Sequence, residues 1–97
     1  MKREEVVRRL SAHKDHLRAQ FGVRSLSLFG SVARDEATEV SDVDLLVEFD
    51  RPTGYFGLIA LQEHLESVLR CKVDVGTLHS LKPRLRARVL GECIHVA

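Results

Sequence analysis

Apolar residues near the start of the chain recur at helical intervals. Val6, Val7, Leu10, Leu17 and Phe21 alternate with charged positions, which predicts one amphipathic helix over roughly residues 3–20, stopped by Gly22. From Arg24 to Phe29 the period shortens to two, with Leu26 and Leu28 on one face and Ser25, Ser27 and Phe29 on the other, the pattern of a short strand. Gly30-Ser31 breaks that strand. Val32 to Ala37 can form a short helix, Thr38 to Ser41 is a polar connection, and Val43 to Phe49 reads as a second strand.

After a loop at Arg51-Pro52-Thr53-Gly54, the positions Leu58, Leu61, Leu65, Val68 and Leu69 predict a helix from about Tyr55 to Arg70. Lys72 to Gly76 makes a third strand. Ser80 is the expected cap of a last helix with Pro83 in its first turn, Leu81, Leu85 and Val89 on one face and Gly91 as its stop. Cys93 to Val96 adds an edge strand. The expected fold class is α/β (α+β), a small mixed sheet of three to four strands covered by helices, and the pattern leaves the strand order open.

With 97 residues, a single domain over residues 1–97 is expected. A hydrophobic fraction of 44% suffices for a core, and the charged residues are interspersed rather than gathered in a tail. No apolar run is long enough to cross a bilayer, and Met1-Lys2-Arg3-Glu4-Glu5 leads into charge instead of a signal peptide, so a cytoplasmic location is expected. Cys71 and Cys93 form no Cys-x-x-Cys pair and read as reduced thiols.

The net charge of +1 hides an uneven distribution. Asp35, Glu36, Glu39, Asp42, Asp44, Glu48 and Asp50 fall within residues 35–50, with no Lys or Arg between them. Such a run is either a solvated acidic face or a seat for cations. Spacing favours the second: residues two apart on a strand share a face, about 6.6 Å apart along the chain, so Asp42 and Asp44 point together while Val43 and Leu45 face the core. Hard carboxylate oxygens suit Mg²⁺ or Mn²⁺, which bind few protein carboxylates and complete their shells with water and substrate phosphates. Gly30-Ser31 supplies the other half. A glycine lets a phosphate approach the backbone, the following helix presents free N–H groups, and Ser31 adds a hydroxyl.

Gly30-Ser31, ten residues and then Asp42-Val43-Asp44 resembles the signature of the polymerase β-type nucleotidyltransferase superfamily. Within it, Gly30-Ser31-Val32-Ala33-Arg34-Asp35-Glu36-Ala37 followed by Ser41-Asp42-Val43-Asp44-Leu45-Leu46-Val47 is similar to the minimal nucleotidyltransferase (MNT) antitoxins, over nearly the whole chain. Asp35 stands where many relatives have a glycine. The resemblance implies a polymerase β-like fold and a third carboxylate, Asp74, on the strand Lys72-Val73-Asp74-Val75. It further implies two Mg²⁺ ions, with Mn²⁺ an alternative, held by Asp42, Asp44 and Asp74 as catalytic and metal-binding residues. The implied reaction transfers AMP from ATP to a tyrosine of a partner HEPN-domain ribonuclease toxin. Without the resemblance, Asp74 would read as a strand-end acid at a solvent edge.

Gly30, Ser31 and Arg34 are the expected nucleotide-binding residues, Arg34 because it lies one turn into the phosphate-side helix and carries a fork of donors, although an exposed helical arginine is the commoner outcome. Glu48 reads as a solvated or salt-bridged acid. His13 and His16 are three apart but have no further ligand at suitable spacing, so surface histidines are expected. Lys82, Arg84, Arg86 and Arg88 read as a solvated helix face more readily than as a nucleic-acid contact. Tyr55 and Phe56 could stack on a base, but core packing at a helix start is the more frequent fate. Two rival functions remain: an antitoxin that occludes its toxin stoichiometrically, and a nucleotidyltransferase acting on a small molecule or RNA.

Overall fold

The computed structural model describes residues 2–36 and 42–97. Its elements are α1 (Arg3–Ala12), α2 (Lys14–Phe21), β1 (Val23–Phe29), α3 (Gly30–Ala33), β2 (Val43–Phe49), α4 (Tyr55–Leu69), β3 (Val73–Gly76), a 3₁₀ turn (Leu78–Ser80), α5 (Pro83–Glu92) and β4 (Ile94–His95). The short helix expected from Val32 to Ala37 ends at Ala33, with Arg34 and Asp35 in a turn, while Ala37 and the connection Thr38 to Ser41 lie outside the described residues.

The four strands form one mixed sheet in the order β3-β2-β1-β4. β1 runs antiparallel to β2 and β4, whereas β2 and β3 are parallel because α4 carries the chain back between them. Alternation fixes the two faces. Leu26, Leu28, Val43, Leu45, Val47, Val73 and Val75 are buried together with Val6 and Leu10 of α1, Leu17 of α2 and Leu61, Leu65 and Leu69 of α4. Each such side chain contributes about 1.5–3 kcal/mol on leaving water. The opposite face carries Ser25, Ser27, Asp44, Leu46 and Glu48, and it is open enough to hold a site.

Among the boundaries that differ from the expectation, three shape the packing of the helices. The first helix is two helices: at His13 (φ −102°, ψ 9°) the N–H bonds back to Leu10 O at 3.1 Å and the axis restarts. The bend lets α1 pack on α4 and α2 on β1, so that Leu10 and Leu17 are both fully buried. Secondly, Ser80 does not cap α5. Its hydroxyl donates to Thr77 O (2.7 Å) and accepts from Thr77 N–H (3.1 Å), closing the 3₁₀ turn, while Lys82 precedes Pro83 at the helix start. Finally, Gly91 lies inside α5, which runs on to Glu92. The ladder continues because Cys93 N–H still reaches Val89 O at 2.9 Å.

Gly22 does end α2, in the left-handed region at φ 67°. The apolar face expected of α5 is only partly covered: Val89 is buried, but Leu85 is exposed and so is its neighbour Leu90. Among the described residues no helix is long and apolar enough to cross a membrane.

Candidate active site

The register of the sheet assembles the site. Phe29 of β1 pairs with Asp44 of β2, and Asp44 pairs with Asp74 of β3, so these three side chains share one rung of the open face. Neighbouring strands lie about 4.8 Å apart, which brings two carboxylates side by side. Asp42 precedes β2 by one residue and lies on the same face by alternation. Below them Val43, Leu45 and Val73 are buried, so the hydrophobic pattern of β2 and β3 itself turns the acids outward.

The three acids act on one another electrostatically. Asp44 has a pKa raised above the usual carboxylate range, first by burial and then by the charges of Asp74 and Asp42, with Arg34 opposing. Among the described residues no three His, Cys, Asp or Glu side chains are drawn closely enough together to hold an ion as they stand. A cation here would be bound by Asp42, Asp44 and Asp74 with water and substrate oxygens completing the shell, as suits Mg²⁺. The donor set fits: hard oxygens, a repulsion to be neutralised, and no soft ligand at the rung.

Gly30 follows Phe29 directly, so the turn and the carboxylate rung are neighbours. Its φ is +77°, and a Cβ there would run into Asp44 Oδ2. Glycine is therefore required on two counts, backbone conformation and the approach of Asp44. α3 begins at Gly30 itself, earlier than the expected Val32, and Ser31 is its second residue. Arg34 N–H and Glu36 N–H close the turn onto Gly30 O (3.1 Å) and Ser31 O (2.8 Å). Asp35, where the resemblance implies a glycine, adopts φ 59°, the left-handed conformation a glycine would favour.

The family model for the nucleotidyltransferase domain matches residues 10–96. The chain belongs to this family. The protein adenylyltransferase MntA of Thermococcus cleftensis is 44% identical over 93 residues, covering 96% of this chain and 94% of the relative. A solved structure provisionally assigned as a minimal nucleotidyltransferase is 39% identical with a TM-score of 0.81, covering 97% and 95% of the two chains. A structure of a tri-AMPylated Shewanella oneidensis HEPN toxin in complex with MNT antitoxin matches in fold, at a TM-score of 0.64 and 20% identity, with 90% of this chain and 68% of that one covered.

The other candidate residues of this nucleotidyltransferase lie around the site or away from it. The Arg34 guanidinium is held by Glu36 (3.1 Å) and Glu92 (3.0 Å), which raise its pKa, so as it stands the fork is occupied by protein carboxylates. Its charge still reaches Asp44. Glu48 pairs with Arg24 at 3.2 Å, a salt-bridged acid as expected. Of the basic stretch, Arg86 donates to Leu81 O and Arg88 pairs with Glu92, while Lys82 and Arg84 face solvent.

Tyr55 and Phe56 do not pack in the core: they are 71% and 87% exposed. Nor do they flank the carboxylates. They start α4 beyond the far end of β2, whereas Asp44 is at its beginning, about 16 Å away along the strand. His13 and His16 acquire a companion that spacing did not reveal, His64 of α4, whose ring lies 4.9 Å from that of His16 and 5.0 Å from that of Phe21. The His64 ring is tilted by 37° to that of His16 and by 34° to that of Phe21, an aromatic cluster rather than a chelate. His64 Nε2 is buried with no hydrogen-bond partner among the described residues, and His13 Nδ1 lies 2.9 Å from Arg9 O. Cys71 and Cys93 are free and half-buried, and burial pushes the Cys71 thiol up, away from nucleophilic chemistry.

Proposed function

We propose that the chain is an antitoxin that transfers AMP from ATP, with Mg²⁺, to a tyrosine hydroxyl of a partner HEPN ribonuclease toxin. The observation that carries this reading is the contact between the Gly30 turn and the Asp44–Asp74 rung, because it sets a phosphate cradle directly against paired carboxylates. The Thermococcus relative supports a protein acceptor, and the MNT antitoxin fold supports the HEPN partner.

Each residue has a task in this reading. Gly30 lets Asp44 close up against the turn and, having no side chain, leaves the backbone N–H groups beyond it bare for a phosphate, and Ser31 offers its hydroxyl and N–H to the non-bridging oxygens. Asp42, Asp44 and Asp74 would hold Mg²⁺, which supplies charge neutralisation at the α-phosphate and at the departing pyrophosphate. Asp74 is beside the reacting centre and can take the proton of the attacking hydroxyl. The acceptor oxygen bonds to the α-phosphorus, the bond to the β-phosphate oxygen breaks, and pyrophosphate leaves. Arg34 balances the charge of Asp44 from the α3 side.

Labelled ATP tests this. With Mg²⁺ present, label at the α-phosphate should become covalently attached to the HEPN protein, and label at the γ-phosphate should leave as pyrophosphate. Attachment of neither label, with Mg²⁺ or Mn²⁺, contradicts the proposal.

A further inference from the structure

Next to the catalytic rung, the open face of the sheet holds a cavity of ≈ 500 Å³. Its floor is the following two rungs, Ser27 beside Leu46 and Ser25 beside Glu48, and its walls include Phe49, Leu78 of the 3₁₀ turn and Leu90 of α5. Leu46 lies two residues from Asp44 on the same face, about 6.6 Å away. The cavity thus adjoins the carboxylate rung without being lined by its acids, and its volume is in the range of ligand sites.

The order of features along the strands gives the cavity a direction. The Gly30-Ser31 turn comes at the end of β1, the Asp44–Asp74 rung comes next, and the cavity lies on the far side of that rung. Phosphoryl transfer requires attacking and leaving oxygens to be roughly in line across the phosphorus. With the departing pyrophosphate on the Gly30-Ser31 side, the attacking hydroxyl enters from the cavity side. The walls state the chemistry of what carries it. Leu46, Phe49, Leu78 and Leu90 present apolar surface, and none of the lining residues is a Lys or Arg that could neutralise a nucleic-acid backbone. Leu90 is 52% exposed in the isolated chain, an apolar side chain that a partner would cover.

We infer that this cavity is the acceptor subsite: it receives the apolar polypeptide segment flanking the hydroxyl that takes the nucleotide, and Ser27, Leu78 and Leu90 set acceptor specificity without binding ATP. This rests on the proposed transfer to a protein.

Two variants test it, Ser27→Phe, which fills the floor, and the double variant Leu78→Gln with Leu90→Gln, which removes apolar wall at exposed or half-exposed positions and keeps the experiment informative should Ser27→Phe fail to fold. Calorimetry with a non-hydrolysable ATP analogue and Mg²⁺ gives nucleotide affinity, and transfer to the purified HEPN polypeptide gives KM and kcat. The expected result is nucleotide affinity within about twofold of wild type, acceptor KM raised about tenfold or more, and kcat changed far less than KM. A tenfold loss of nucleotide affinity would make the cavity a nucleoside pocket and overturn the inference, as would an unchanged acceptor KM in both variants. Wild-type chain that transfers nothing to the polypeptide overturns the functional proposal itself, so the two failures are distinguishable.

Discussion

Gly30 and Asp44 are locked together: the glycine takes a left-handed φ of +77°, and the space a Cβ would need is already filled by the carboxylate of Asp44. The backbone of the phosphate-side turn and the central acid of the rung are therefore in close contact, and a side chain added at Gly30 displaces Asp44.

Gly30→Val should damage both. The left-handed backbone alone costs a branched residue about 1–2 kcal/mol, and displacement of Asp44 adds to it. The expected outcome is a lower Tm together with loss of ATP binding and transfer. A variant with wild-type Tm and activity would show that the turn is neither strained nor coupled to the acid.

Asp44→Asn should separate stability from function. The pKa of Asp44 is raised in the folded chain, so its carboxyl favours folding only while protonated, and that contribution is lost as pH rises through the folded value. At neutral pH the ionised group is a cost. The amide should raise Tm of the metal-free protein, each kcal/mol of relief reading as about 4–8 °C for a chain of this size, while abolishing the gain in stability that Mg²⁺ with ATP gives the wild type. Thermal scans with and without Mg²⁺ and ATP check this, and equal ligand stabilisation in both proteins would remove Asp44 from the metal site.

His64 predicts a different pH dependence. Burial first, then His16 and His13, lower its pKa below the ordinary 6.5. The unfolded chain therefore binds the proton more readily, so the stability due to neutral His64 is present above about pH 6.5 and is lost as pH falls through the folded value. Tm should drop between pH 7 and pH 5, and His64→Leu should flatten that drop. An identical slope in the variant would assign the acid sensitivity to other groups.

Strand β2 was legible to the residue, because alternation over Val43–Phe49 admits only one choice of buried face and places Asp44 on the other. Gly30 was legible as a break because no side chain suits a strand that turns so tightly into a helix. The bend at His13 was hidden, since Val6, Leu10 and Leu17 keep one apolar stripe whether or not the axis restarts. Ser80 and Gly91 misled because a nearer partner, Thr77, claimed the hydroxyl and the α5 ladder ran on past the glycine. The meeting of Asp74 with Asp44 depends on parallel register across α4, which no local spacing contains; family resemblance supplied it. His64 stands 48 residues after His16 and was equally out of reach. The exposure of Tyr55 and Phe56 follows from their position at a helix start beyond the sheet, which their composition alone does not disclose.

The central claim is that this chain modifies its partner catalytically, and the most direct measurement is the intact mass of the HEPN polypeptide after incubation with a small fraction of its molar amount of this chain, ATP and Mg²⁺. The account predicts nucleotide adducts on the partner in excess of the chain present, loss of its ribonuclease activity in step, and no adducts with Asp74→Asn, which should still bind nucleotide and partner while lacking the carboxylate that serves the attacking hydroxyl. An unmodified partner, silenced only at equal stoichiometry and equally well by Asp74→Asn, would contradict it and leave a binding antitoxin in its place.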